Sequence, residues 1–329
     1  MARVLSGIQP TGDFHLGNYI GAVRHWVPDQ DVNNSFIMIV DLHAISVTFP
    51  DELARRTLEL AAILLVAGID PERSTLFVQS HVHEHAELTW VLNCVANMGE
   101  LRRMTQFKEK AREGQEGAAP VGLFVYPVLQ AADILLYHTD RVPVGEDQRQ
   151  HVELTRDLAE RFNRRFGETF TLPEPAIPKV GARVMDLQHP LAKMSKSAES
   201  PQGTIAVLDS PDVIRKKIRS AVTDSGRDVV ASPDKPAISN LLTIFSVVSG
   251  RAVEELEQEH AGKGYAPFKQ DLAEAVVALI EPFQQRHREV MSDPGEIERV
   301  LRLGADKART VAAKTLADVY GRVGFLPRT

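Results

Sequence analysis

Apolar positions recur in two rhythms along the chain. In the first half, short runs rich in strand formers alternate with longer stretches of helical period. Residues 2–6, 35–40 and 74–79 read as strands. Residues 17–27 read as a helix stopped by Pro28, and 51–67 as a helix with Asp51 near its start and Gly68 just past its end. Two helical segments follow at 86–98 and 126–137, then a short strand at 141–144 that runs into Gly145. Residues 148–166 place Leu154, Leu158, Phe162 and Phe166 on one face, the pattern of an amphipathic helix. Glu146 and Asp147 at its start suit the positive end of the helix dipole. Pro173, Pro175 and Pro178 make 171–178 a stiff connector rather than a helix. Beyond about Pro201 the segments 210–222, 239–249, 252–260, 267–292 and 296–321 all carry the helical period.

Strand and helix in alternation predict a parallel sheet with crossover helices, which binds its ligands at the carboxyl ends of the strands. The helical remainder predicts an all-α C-terminal part. The fold class is therefore α/β followed by all-α, with a boundary near 197–204. A length of 329 residues supports about two domains. The content, 43% hydrophobic and 25% charged, excludes a disordered, collagen-like or membrane chain. The longest strongly apolar stretch, 60–67, is far short of the ~20 residues that cross a bilayer. The N-terminus carries no apolar signal core, and the one cysteine, Cys94, permits no intrachain disulfide; both point to the cytoplasm. A net charge of −6 does not draw nucleic acid to the molecule as a whole. An RNA contact would need a local basic face, and Arg215, Lys216, Lys217 and Arg219 are the candidate, set against a plain solvated helix face.

Two runs carry candidate chemistry. SGIQPTGDFHLGN joins a strand to a helix; Gly7, Gly12 and Gly17 allow backbone approach, and His15 and Asn18 stand at a helix N-terminus, where free N–H groups attract phosphate. A polar loop with glycine punctuation reads the same way. KMSKS, at 193–197, presents two lysines in a loop between the two parts; ammonium groups there can follow a triphosphate and neutralise a departing pyrophosphate. HVHEH, at 81–85, could offer three imidazoles to a metal, or His85 could simply start a helix; no metal ligands are assigned. Cys94 is expected in the core, and Trp90 either in ordinary packing or at a subunit contact.

HLGN and KMSKS in this order resemble the paired signatures of class I aminoacyl-tRNA synthetases, with asparagine in place of the final histidine of the first. GIQPTG, VDLHAIS, RMTQFKEK, YPVLQAADILLY, VPVGEDQRQHVELTRDLAERFN and KPAISNLL narrow the resemblance to the tryptophanyl-tRNA synthetases of bacteria, over nearly the whole chain. The resemblance implies a Rossmann-like nucleotide-binding catalytic domain at 1–200 and a helical anticodon-binding domain at 201–294. A C-terminal helix at 295–329 would pack back on the catalytic domain. It implies a cytoplasmic, homodimeric ligase that activates L-tryptophan with ATP, with Mg²⁺ accompanying the nucleotide, and transfers it to tRNA(Trp).

By that resemblance Gln9, Pro10, Thr11, Gly17 and Asn18 contact ATP, with His15 at the first signature position. Gly145, Glu146, Asp147 and Val184 hold the nucleoside. Lys193, Met194, Ser195, Lys196 and Ser197 form the phosphate loop, and Lys110 is a further phosphate lysine. Asp133 would accept the indole N–H, which is donor-only; a surface acid on a helix is the plainer reading. Leu5, Gly7, His43, Val142 and Val144 would wall the tryptophan pocket, with Gln130 in its wall and Tyr126 and Gln148 facing the ammonium. Family members commonly carry phenylalanine at the position of Leu5 and methionine at that of Gln130, so pocket shape is where this chain departs. Three rivals remain: the tyrosine enzyme of the same fold, a small adenylyltransferase, and a duplicated synthetase turned regulatory or RNA-binding protein.

Overall fold

The computed structural model describes residues 1–46, 49, 51–105, 119–177, 184–194 and 200–327. The chain opens with β1 (Arg3–Ile8), a loop, α1 (Leu16–Asn18), a π-helical turn (Tyr19–Val23) and α2 (Arg24–Val32). Then come β2 (Asn34–Ile39), α3 (Asp41–Ala44), α4 (Leu53–Val66), β3 (Thr75–Val78), α5 (Glu84–Asn93) and α6 (Met98–Arg102). The half closes with α7 (Val121–Leu136), β4 (Arg141–Pro143), α8 (Arg149–Phe166) and β5 (Glu174–Ala176). All five strands pair in parallel in the order β3-β2-β1-β4-β5. The register sets Leu5 beside Phe36 and Gly7 beside Met38. The order reverses between β1 and β4, and a doubly wound sheet opens its ligand crevice at that switch point.

Three readings from the pattern are corrected. Pro28 does not stop its helix: α2 runs on to Val32. Tertiary contacts hold its far end, since Trp26 is buried and the Gln30 amide bridges Gly68 O at 2.9 Å and the Asp70 N–H at 3.0 Å. The proline-rich connector contains β5, an edge strand, where Pro175 has no inner ladder to interrupt. Cys94 is exposed rather than in the core, because it stands just past the end of α5 at Asn93, beyond the buried Val91 and Leu92. Trp90 is likewise exposed, at 69%.

The remainder is helical: α9 (Pro211–Ser220), α10 (Pro236–Ser249), α11 (Val253–His260), α12 (Tyr265–Met291) and α13 (Pro294–Val323). Among the described residues no single helix is long and apolar enough to cross a membrane. The core of α9–α12 also takes in Leu16 within the first signature, Ile20 just past it, Met194 within the second, and Val184. The last helix, α13, lies on the sheet half: Ala305, Ala308, Ala312 and Leu316 share a core with α5, α7 and α8. Its closest approach is at Gly304, where a Cβ would meet the Leu76 carbonyl oxygen at 1.8 Å, so only glycine lets the helix seat against β3.

Candidate active site

A cleft of about 780 Å³ opens at the carboxyl ends of the strands, across the switch point. The loop after β1 turns through Gly12, whose φ of 60° is ordinary for glycine and costly for other residues. It delivers Phe14, His15 and Leu16 to a short two-way pairing with 205–207: Leu16 N–H donates to Ile205 O at 2.8 Å and Val207 N–H to Phe14 O at 2.9 Å. His15, 3% exposed, caps α1. Its Nδ1 accepts the Asn18 N–H at 3.2 Å, and its own N–H donates to Asn18 Oδ1 at 3.2 Å. Asparagine is thus a working partner in HLGN, because its side chain closes a reciprocal cap.

The two signatures meet. A Cβ on Gly17 would lie 3.0 Å from His15 Nδ1 and 3.4 Å from the Cβ of Met194. Met194 is buried beneath, while Lys193 is exposed and lines the cleft. Lys110, Ser195, Lys196 and Ser197 lie outside the described residues.

At the opposite end of the cleft stands Asp133 on α7. It is 3% exposed, which removes the reading of a surface acid. Its Oδ2 accepts from His43 Nε2 at 2.8 Å and its Oδ1 from His85 Nδ1 at 2.6 Å. The Gln79 amide donates to both oxygens, at 2.8 and 2.9 Å. A carboxylate cannot donate, so His85 carries a proton on Nδ1, and its Nε2 lies 2.8 Å from the Tyr137 hydroxyl. Burial works to raise the Asp133 pKa, but the hydrogen bonds from His43 and His85 outweigh it and hold the carboxyl down at about 2. Burial, then the charge of Asp133, pushes the Tyr137 hydroxyl up, which keeps it protonated.

Most of the expected residues converge on this cleft. Leu5, Gly7 and Gln9 line it from β1, with His15, Gly17 and Asn18 from the first signature. His43 lines it after β2, Tyr126 and Gln130 from α7, and Val142, Val144, Gly145 and Gln148 from β4 onward. Six do not line it: Pro10 and Val184 are buried, Met194 is buried behind Lys193, and Thr11, Glu146 and Asp147 stand outside the lining. Glu146 pairs with Arg149 at 2.6 Å, and that bond lowers its pKa. Gln148 donates to Asp147 at 3.0 Å, and the Tyr126 hydroxyl lies 3.0 Å from His151 Nε2.

The sequence points to one of the residues that hold Asp133, His43, as pocket wall, and misses the other two, Gln79 and His85. Gln79 follows β3 directly, at the strand end where ligands gather, and that position was its only signal. His85 was considered for a metal and instead serves the carboxylate. Among the described residues HVHEH forms no group of potential ligands; Glu259, His260 and Asp271 do. The wall residues Met38, Val40 and Ile134 were also missed, because buried strand and helix residues look alike wherever they face. The basic face is smaller than expected: Lys217 is buried against Asp209 at 2.6 Å and Arg215 is paired with Glu274 at 2.8 Å, which leaves Lys216 and Arg219 exposed.

A crevice at the switch point of a parallel sheet, with a helix N-terminus on one side and a lysine on the other, defines a nucleotide-binding α/β enzyme. The family model described as tRNA synthetases class I (W and Y) matches residues 1–281, and the chain belongs to that family. It is 58% identical to the tryptophan–tRNA ligase 2 of Streptomyces avermitilis, over 99% of this chain and 97% of that one. The crystal structure of tryptophanyl-tRNA synthetase from Mycoplasma pneumoniae is similar with a TM-score of 0.89 at 38% identity, covering 99% of this chain and 98% of that one. The Campylobacter jejuni enzyme complexed with ADP and tryptophan follows at a TM-score of 0.85 and 38% identity, covering 98% of this chain and 100% of that one.

Proposed function

We infer that this chain is a tryptophan–tRNA ligase that activates L-tryptophan with ATP and transfers it to tRNA(Trp). The observation that carries the reading is Asp133, a buried, ionised carboxylate at the end of a cleft whose other end joins both signature runs. An indole is a hydrogen-bond donor only, so an acceptor fixed in its ionised form suits it and leaves a phenylalanine ring without a partner.

In the first step a carboxylate oxygen of tryptophan attacks the α-phosphorus of ATP. A bond forms to that phosphorus, the α–β bridging bond breaks, and pyrophosphate leaves. In the second, a hydroxyl of the terminal adenosine of tRNA attacks the acyl carbon and AMP leaves. No protein nucleophile is required; catalysis rests on placement and on charge facing the phosphates. Gln9, Pro10, Thr11, Gly17 and Asn18 would hold ATP on the first signature, Gly145, Glu146, Asp147 and Val184 the nucleoside. Lys193, with Met194, Ser195, Lys196, Ser197 and Lys110, would face the phosphates. Leu5, Gly7, His43, Tyr126, Val142, Val144 and Gln148 would surround tryptophan. Gln130 would supply a hydrogen bond that the methionine common in the family cannot; unchanged affinity of Gln130→Met for tryptophan and for indole-like inhibitors would remove that role.

Mg²⁺ would ride on the nucleotide. The described lining offers the carboxylates of Asp29 and Asp133, and Asp133 is committed to His43, Gln79, His85 and, in this reading, the indole, so phosphate oxygens and water are the fitting ligands. Residues 1–200 would be the catalytic domain, 201–294 the anticodon-binding domain and 295–329 the returning helix. The exposed Trp90 and Met98 on α5 and α6 support a homodimer, since large apolar side chains in the open favour association. The single cysteine supports a cytoplasmic setting. Charging of tRNA(Trp) with labelled tryptophan, dependent on ATP, tests the reading; activation without any charging would overturn the transfer step.

A further inference from the structure

Asn240 is a buried polar residue on α10, next to Ser239 and close to the buried Ile238, Leu241 and Leu242. Burying an amide is costly unless its hydrogen bonds are made. Here both ends are used on one residue: Oδ1 accepts the Met185 N–H at 2.8 Å and Nδ2 donates to the Met185 carbonyl at 2.9 Å. The side chain thus imitates the edge of a neighbouring strand. Met185 in turn pairs across a short hairpin with Lys193. The hairpin is closed by Asp186 N–H to Ala192 O at 2.8 Å and Met194 N–H to Val184 O at 3.1 Å. Met194 packs in the same core as Ile238, Leu241 and Leu242. The backbone that presents Lys193 to the cleft is therefore fixed from the helical half, and Asn240 is its polar fastening.

We propose that Asn240 is a positioning residue through which α10 sets the place of Lys193 against the phosphates of ATP. The proposal rests on the reading of Lys193 as a phosphate partner. Loss of the clasp frees the hairpin by a small displacement, and a misplacement of about 1 Å can cost about 100-fold in rate.

The test is tryptophan-dependent ATP–pyrophosphate exchange by the full chain, comparing wild type with Asn240→Ala, Asn240→Asp, Lys193→Ala and the double variant Lys193→Ala/Asn240→Ala. Asn240→Asp keeps the acceptor for the Met185 N–H but sets a carboxylate oxygen against the Met185 carbonyl, so it breaks half of the clasp by repulsion, and urea unfolding of each variant separates a lost fold from a displaced hairpin. Both Asn240 variants are expected to lower kcat by about 10- to 100-fold with KM for tryptophan unchanged. In the Lys193→Ala background Asn240→Ala should add little, because the two act as one unit. Full multiplication of the two effects, equal loss in kcat and in tryptophan affinity, or unchanged kcat in a folded Asn240 variant would overturn the proposal. Unchanged exchange in Lys193→Ala alone would instead overturn the reading beneath it, and the proposal with it.

Discussion

A single carboxylate shows how burial and hydrogen bonding set the chemistry of this cleft. Asp133 would be expected to protonate in an apolar pocket, yet donors from three elements keep it charged. Asp133→Asn turns an amide N–H₂ toward those donors, and we predict that tryptophan affinity, measured by calorimetry, falls about 10- to 100-fold. The same group links stability to pH. Its folded pKa lies below the unfolded one, so its contribution is complete above about pH 4 and is lost as pH falls through about 2. The stability gap between wild type and Asp133→Asn, read from urea midpoints, should narrow progressively below pH 4; a gap that widens there contradicts the assignment. Gly17 offers a second test at this scale. A methyl group there presses on His15 Nδ1 and Met194, so Gly17→Ala should open the cap and lower the exchange rate about tenfold or more, with tryptophan binding retained.

Among the elements, α13 depends on one close approach. Gly304→Ala sets a methyl group 1.8 Å from the Leu76 carbonyl and must lift the helix off β3. We predict a loss of about 3 kcal/mol or more in urea unfolding, larger than for an alanine elsewhere on the helix. This scale also shows what the sequence disclosed. Long amphipathic segments such as α8 and α12, and the alternation behind the parallel sheet, were legible because period and composition agree there. The continuation of α2 past Pro28 and the edge strand β5 were not, because distant contacts decide both: the Gln30 bridge to Gly68 and Asp70, and the pairing of β5 with β4. The site was legible where short motifs fix backbone shape, as in the loop to HLGN. Gln79 and His85 were not, since their roles arise only when β3, α5 and α7 come together at Asp133.

At the scale of the molecule, the helical part and the sheet half are joined at the chemistry rather than beside it. The strip 205–207 pairs with the first signature, and the Gln284 amide of α12 holds that strip through Val207 O at 2.9 Å and Asp209 O at 2.7 Å. Asn240 holds the hairpin that ends at Lys193. Leu16, Ile20 and Met194 are buried in the helical core, so both signatures are anchored from the same side. Both signature runs therefore rest on the helical part, while Asp133 and its partners rest on β2, β3, α5 and α7 of the sheet half. The central claim is that this arrangement activates tryptophan, with Asp133 as the acceptor for its indole N–H. ATP–pyrophosphate exchange, without tRNA and with each amino acid in turn, tests it most directly. Exchange with L-tryptophan and very little with L-tyrosine is the predicted result; exchange driven by tyrosine, or none from folded protein with tryptophan, would contradict it.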